Sequence, residues 1–168
     1  MEVVITSDEG EAGRLGADVV TELLRRRPDA VIGVATGSSP LAIYQELGRR
    51  IDAGELSLKH ARAFMLDEYI GLPPDHPERY HQVIHRDFVA KVDIEPRHVH
   101  GPDGSAQDVP AACAAYERAI AEAGGIDVQI LGVGTDGHIA FNEPGSSLVS
   151  RTRLKTLTER TRLDNARF

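Results

Sequence analysis

Within ten residues, Asp136-Gly137-His138-Ile139-Ala140-Phe141-Asn142-Glu143-Pro144-Gly145 places an imidazole between two carboxylates. Titratable groups that close interact, and interacting groups can be tuned to move protons near neutral pH. A carboxylate beside His138 can hold the ring in one tautomer and raise its basicity. An isolated histidine reads most simply as a core or capping residue, but the flanking Asp136 and Glu143 turn this one toward proton chemistry. A zinc or iron site built from the same three side chains is the alternative. Their spacing matches no standard structural-metal pattern and no cysteine lies nearby, so no metal is expected.

Two further polar clusters follow strand-like runs. Thr36-Gly37-Ser38-Ser39-Pro40 comes after the apolar run 30–35 and before a helical segment. It fits either an anion site at a helix start or a plain capped turn. It is not a P-loop, because the Gly-Lys-Ser/Thr ending is missing. Asp67-Glu68 follows the run 61–66. Neighbouring residues at a strand end point apart, so one of the two acids is expected to face the site. Held against apolar walls, such a carboxyl gains proton affinity and can serve as a base, while a solvated turn with a helix cap is the simpler reading. Gly132 to Gly137 formally matches G-x-G-x-x-G, but Pro144-Gly145 interrupts the helix that a dinucleotide site requires. His81 and His85 stand one helical turn apart without the glutamate of a zincin and read as an ordinary helical pair.

The elements that must position these residues alternate between strand and helix patterns, which predicts an α/β fold. The expected architecture is three-layered, an open and mostly parallel sheet with helices on both faces, Rossmann-like. Strands are predicted over 2–6, 30–35, 61–66 and 126–131. Helices are predicted after Ser7 or Asp8 (Leu15, Val19, Val20, Leu23 and Leu24 sharing a face), from Pro40 (Leu41, Ile43, Tyr44, Leu47), through Val83–Val89, and over 108–123. Residues 98–105 read as a polar connector. In such sheets ligands sit beyond the carboxyl ends of strands, so all three polar clusters fall on one rim.

With 168 residues, 41% of them apolar, residues 1–168 suit a single domain with a hydrophobic core. A net charge of -7 argues against nucleic-acid binding. No segment suits a membrane span or a signal peptide. The single cysteine, Cys113, excludes an intramolecular disulfide and suits a reducing, cytoplasmic setting. Arg151, Arg153, Lys155, Arg160, Arg162 and Arg167 make a basic stretch in an acidic chain, which reads as a solvated face or as phosphate-pairing arginines. A sheet that stops just past this stretch looks incomplete, so the 168 residues are expected to be a piece of a longer protein.

Taken together, ATGSSPLAIYQEL (35–47), LDEYIGL (66–72), GVGTDGHIAFNEPGSSL (132–148) and SRTRLKTLTERTRLDNARF (150–168) closely resemble the glucosamine-6-phosphate deaminase family. The DGHIAFNEP run separates it from the 6-phosphogluconolactonases, which share the fold and the phosphate loop. The resemblance implies conversion of glucosamine 6-phosphate and water to fructose 6-phosphate and ammonia in amino-sugar catabolism, without a cofactor or metal. It implies Asp67 as the base at C2, and His138 as the proton acceptor in ring opening, assisted by Asp136 and Glu143. Thr36, Gly37, Ser38 and Ser39 would hold the substrate phosphate, with Arg167 pairing to it. Ser146, Arg153, Lys155 and Thr156 match positions that carry the effector N-acetylglucosamine 6-phosphate in members that are regulated homo-oligomers, some of them hexamers. Family chains run well past residue 168 and add a lysine to the phosphate site, so the 168 residues alone are expected to be inactive or poorly stable. The rival readings are a 6-phosphogluconolactonase-like enzyme, a galactosamine-6-phosphate isomerase, and a sugar-phosphate-binding regulator without chemistry.

Overall fold

The computed structural model describes residues 2–164. Helix α1 (Glu9–Arg26) leads to β1 (Val31–Val34), α2 (Leu41–Asp52), β2 (Arg62–Met65) and α3 (Tyr80–Asp87). Then come β3 (Val99–His100), α4 (Val109–Glu122), β4 (Val128–Gln129) and α5 (Glu159–Asp164). The four strands are parallel, in the order β3-β2-β1-β4. In the register, Ile32 lies between Ala63 and Val128.

Strand β1 is apolar throughout because it is buried on both faces. Alternation sends its side chains into two different cores. Ile32 and Val34, with Ala63 and Met65 of β2, pack with Val20 and Leu24 of α1, Tyr44 and Leu47 of α2, and Val83 and Ile84 of α3. Val31 and Phe64 point the other way, onto Tyr116, Ala119 and Ile120 of α4. The result is the three-layer α/β arrangement expected from the alternating pattern. Two tyrosines lock helices to strand ends. Tyr44 Oη accepts from Ala35 N (2.9 Å) and donates to Ala35 O (2.8 Å), while Tyr116 Oη donates to Met65 O (2.5 Å).

The structure departs from the sequence expectations in four places. Residues 2–6 form no strand, and Val3, Val4 and Ile5 are 74%, 58% and 94% exposed. Their β-branched composition has strand propensity, but a strand also needs a partner ladder, and none of the four described strands provides one. Helix α1 is capped by Asp8 as expected, its Oδ1 accepting from Glu11 N at 2.7 Å. It is nevertheless rotated, burying Gly13, Ala17, Val20, Thr21 and Leu24 while Leu15 and Val19 remain exposed. Small residues win this face because they let α1 approach α2 closely. A Cβ on Gly13 would lie 2.7 Å from the backbone and Cβ of Ala42. Third, the connector 98–105 holds the short edge strand β3. Fourth, β4 covers two residues rather than six.

Gly13→Ala tests that close approach. Alanine gains up to about 1 kcal/mol of helix propensity, but overpacking against main chain costs about 1–3 kcal/mol. The variant is expected to unfold at a lower urea midpoint, and a raised midpoint would show that the helices can part without cost.

Candidate active site

Strand β1 is the point where the chain order reverses. After β1 the chain crosses to β2 and β3 on one side, and α4 then returns it to β4 on the other. Loops that leave β1 and β4 therefore diverge and open a crevice beyond the strand ends. A cavity of about 420 Å³ occupies it, lined by Thr36, Gly37, Ser38 and Ser39 after β1, Asp67 after β2, and His138 after β4.

Each wall has a local cause. Gly37 sits at φ +100° with open space around its Cβ position, so the backbone conformation, not crowding, calls for glycine there. The turn closes through Leu41 N donating to Ser38 O (3.1 Å), and Pro40, the N-cap residue of α2, makes no side-chain capping hydrogen bond. An uncapped helix start beside two serine hydroxyls is suited to an anion.

Asp67 is recessed in the opposite wall. Burial pushes its carboxyl up to about 7, and the neighbouring Glu68 charge adds to the rise. Beside it stand Tyr69, Tyr80 and Phe141, with ring centroids 4.9 Å (Tyr69–Tyr80) and 5.0 Å (Tyr69–Phe141) apart. Burial likewise raises the Tyr80 phenol, and the Asp67 charge adds to the rise. Glu68 turns away from this cavity, so one acid of the pair faces it, as the strand-end argument requires.

The third wall is a compact loop. Gly134 N donates to His138 O (2.8 Å), and Ile139 and Asn142 form an antiparallel bridge around Ala140, which is held at φ 52°. Asp136 Oδ1 accepts from His138 N (3.1 Å) and lies 2.7 Å from His138 Nδ1. Those contacts, the backbone N–H first, hold Asp136 below the ordinary carboxylate range. With Asp136 ionised, Nδ1 carries the hydrogen and Nε2 keeps the free lone pair of a base. There is no room at position 134 for a side chain, since a Cβ would lie 2.1 Å from His138 Cε1. Glu143 is 7% exposed. Its Oε1 accepts from Thr158 N (2.9 Å), and that bond, with the Thr161 and Thr158 hydroxyls, lowers its carboxyl. Its Oε2 is buried without a hydrogen-bond partner. One ligand atom each from Asp136, His138 and Glu143 lies within 4.8 Å of the others, which makes them the group among the described residues able to hold a cation.

Residues 10–162 match the family model for glucosamine-6-phosphate isomerases/6-phosphogluconolactonase. The chain belongs to this family. It is 66% identical over all 168 residues to the glucosamine-6-phosphate deaminases of Mycolicibacterium smegmatis and Beutenbergia cavernae, and it spans 64% of the length of each. Among solved structures it is similar to a monomeric glucosamine-6-phosphate deaminase, with 39% identity and a TM-score of 0.95 over 99% of this chain and 69% of that one. The 6-phosphogluconolactonase of Thermotoga maritima is more distant, with 25% identity and a TM-score of 0.68 over 83% of this chain and 62% of that one.

Of the residues that the family resemblance singles out, Thr36, Gly37, Ser38, Ser39, Asp67 and His138 share the cavity. Asp136 and Glu143 stand behind His138. Arg167 lies outside the described residues. Arg153 and Lys155 line a second cavity of about 430 Å³ between the Asp67 loop, α4 and residues 150–157, whereas Ser146 and Thr156 do not line it. Arg153 donates to Asn142 Oδ1 (2.9 Å) and Arg151 to Glu117 Oε2 (2.9 Å), so these two basic side chains tie their segment to the fold. Sequence reasoning missed the Tyr80–Phe141 wall and the grip of Thr158 on Glu143. Phe141 sits inside the most informative motif, a usable signal. Nothing local marks Thr158.

Proposed function

We propose that the full-length gene product is a glucosamine-6-phosphate deaminase, converting glucosamine 6-phosphate and water to fructose 6-phosphate and ammonia. The observation that supports this reading is the meeting, in one cavity, of an anion-suited loop, a recessed carboxyl with raised proton affinity, and a carboxylate-backed imidazole. Thr36 to Ser39 hold the phosphate, and Arg167 pairs with it. His138, oriented by Asp136 and supported by Glu143, takes the proton of the C1 hydroxyl and returns it to the ring oxygen, which opens the sugar. Asp67 as carboxylate takes the C2 proton and delivers it to C1 while a proton passes from the nitrogen to O1, converting the 2-amino aldose to the 2-imine of the ketose. Water then adds to C2 and ammonia leaves. The sequence is redox-neutral overall, C1 being reduced as C2 is oxidised, and its ring-opening and isomerisation steps need only groups that take and return protons.

Residues 1–168 would act as one sugar-phosphate-binding unit. An effector at Ser146, Arg153, Lys155 and Thr156, homo-oligomerisation and a cytoplasmic location belong to the same reading. Among the described residues, no helix is long and apolar enough to cross a membrane.

A coupled assay for ammonia and fructose 6-phosphate tests the proposal. Glucosamine 6-phosphate is expected to yield both in equal amounts, with kcat/KM rising with pH through about 7 as Asp67 loses its proton. Turnover of 6-phosphogluconolactone without ammonia release would establish the lactonase reading, and preference for galactosamine 6-phosphate the isomerase one. Tight binding of sugar phosphate without turnover would mark a regulator.

A further inference from the structure

The second acid of the pair, Glu68, has no part in the proton transfers, yet it is the more tightly held. Its side chain is fully buried. One oxygen accepts from Tyr69 N and Tyr80 N, both at 2.9 Å. The other accepts from His81 N at 3.0 Å and lies 2.7 Å from His81 Nδ1. Tyr80 and His81 open α3, whose N-cap residue Arg79 provides no capping hydrogen bond. Glu68 therefore caps, from twelve residues upstream, a helix that has no local cap. The loop after β3 closes the remaining side. A Cβ on Gly104 would sit 2.1 Å from Tyr69 O and 2.9 Å from Glu68 Cγ.

A neutral side chain would satisfy those N–H groups without the cost of burying a charge. Burial alone would push the Glu68 carboxyl up, but the His81 ring and the N–H groups of Tyr80, His81 and Tyr69 outweigh it and keep the group low. A fixed anion thus stands next in sequence to the carboxyl that must be basic, and like charges at one site favour the protonated form of the more weakly held acid. We propose that Glu68 is a positioning residue, clamped by the start of α3, that fixes the Asp67 turn and keeps a second negative charge beside it. This rests on the reading of Asp67 as the C2 base.

The charged and titratable groups facing the pair set the expected signs. Arg79 Nε lies 3.5 Å from Glu68 Oε2, and Arg79 Nη2 lies 3.9 Å from Asp103. His81 and Tyr80 approach from α3, Tyr69 from the Asp67 loop, and the Tyr116 phenol from α4 is itself raised by burial and then by Asp67. Removing the Glu68 charge makes Asp67 easier to ionise. Removing Arg79 leaves Glu68 less compensated and makes Asp67 harder to ionise.

The test is a carbon-13 NMR titration of the Asp67 carboxyl in the full-length protein, the resonance being assigned by its loss in Asp67→Asn, alongside the pH profile of kcat/KM for ammonia release. In Glu68→Gln the Asp67 midpoint is expected to fall by about one pH unit, and in Arg79→Gln it is expected to rise, with the acid limb of the activity profile following in each. A Glu68 that merely holds the fold together would change stability and leave both midpoints in place. Unmoved midpoints, or shifts of the same sign, overturn the proposal. Should Glu68→Gln fail to fold, Arg79→Gln decides alone, since it leaves the hydrogen bonds to Glu68 intact. If the midpoints move as stated but no ammonia is released, the deaminase reading fails and the coupling of Glu68 to Asp67 stands.

Discussion

Asp67→Asn is expected to do two opposite things at once, abolishing turnover and stabilising the fold. General-base catalysis contributes roughly 10²–10⁴-fold, and no described residue beside Asp67 is placed to replace it, so ammonia release and deuterium exchange at C2 should both fall by at least that factor. The stability effect follows from linkage. The Asp67 carboxyl titrates near 3.8 when unperturbed and at about 7 in the fold, raised by burial and then by Glu68. Between those pH values the folded chain holds a proton that the unfolded chain has released. Asp67 therefore weighs against folding increasingly as pH rises from about 4, and its cost is complete above 7. At about 1.4 kcal/mol per pH unit the whole shift corresponds to about 4 kcal/mol. The cavity is open to solvent, which reduces this, and about 2 kcal/mol is the expected gain for asparagine at pH 8. Urea unfolding of both proteins at pH 8 and pH 4 checks it, with the gap present at the higher pH and closed at the lower. A variant that loses both activity and stability at pH 8 would mean that Asp67 is held by contacts a carboxamide cannot replace, and its role as a strained base would be wrong.

That trade between function and stability also explains which parts of the molecule were legible in the sequence. Strands β1 and β2 were plain, because a strand covered on both faces must be apolar along its length, as 30–35 is. The three polar clusters were placed on one rim by strand order alone. The buried face of α1 differs from the one its large aliphatic residues suggest, because Ala17 is buried there and Gly13 makes the contact that brings α2 close. Residues 2–6 carry strand propensity that no described partner turns into pairing. Glu68 illustrates the harder limit. Its neighbours in sequence show an acid at a turn, but its hydrogen bonds go to residues 80 and 81, and a cap that far away leaves no local pattern. Thr158 on Glu143 is the same case at a distance of fifteen residues. Chemistry carried by adjacent residues was visible, and the long-range contacts that tune it were not.

His138→Gln tests the other half of the proposed division of labour. The imidazole is 15% exposed at its cavity edge and gripped from behind by Asp136, an arrangement that leaves Nε2 as the free base. Glutamine keeps a polar group of similar reach but cannot cycle a proton near neutral pH, so kcat/KM for the cyclic substrate should fall by about 10²–10⁴-fold. The size of the loss does not by itself assign the step, but an isotope effect does. If His138 opens the ring and Asp67 then removes the C2 proton, slowing the first step makes it rate-limiting. The primary deuterium effect from substrate labelled at C2 should then shrink toward unity in His138→Gln. In Asp67→Glu, where the carboxylate is retained but displaced by a methylene, the C2 step becomes the slow one and the same effect should appear in full. A large isotope effect in His138→Gln would place His138 on the C2 proton itself. The cavity would then hold one shared acid–base pair, with His138 and Asp67 acting on the same carbon rather than in sequence.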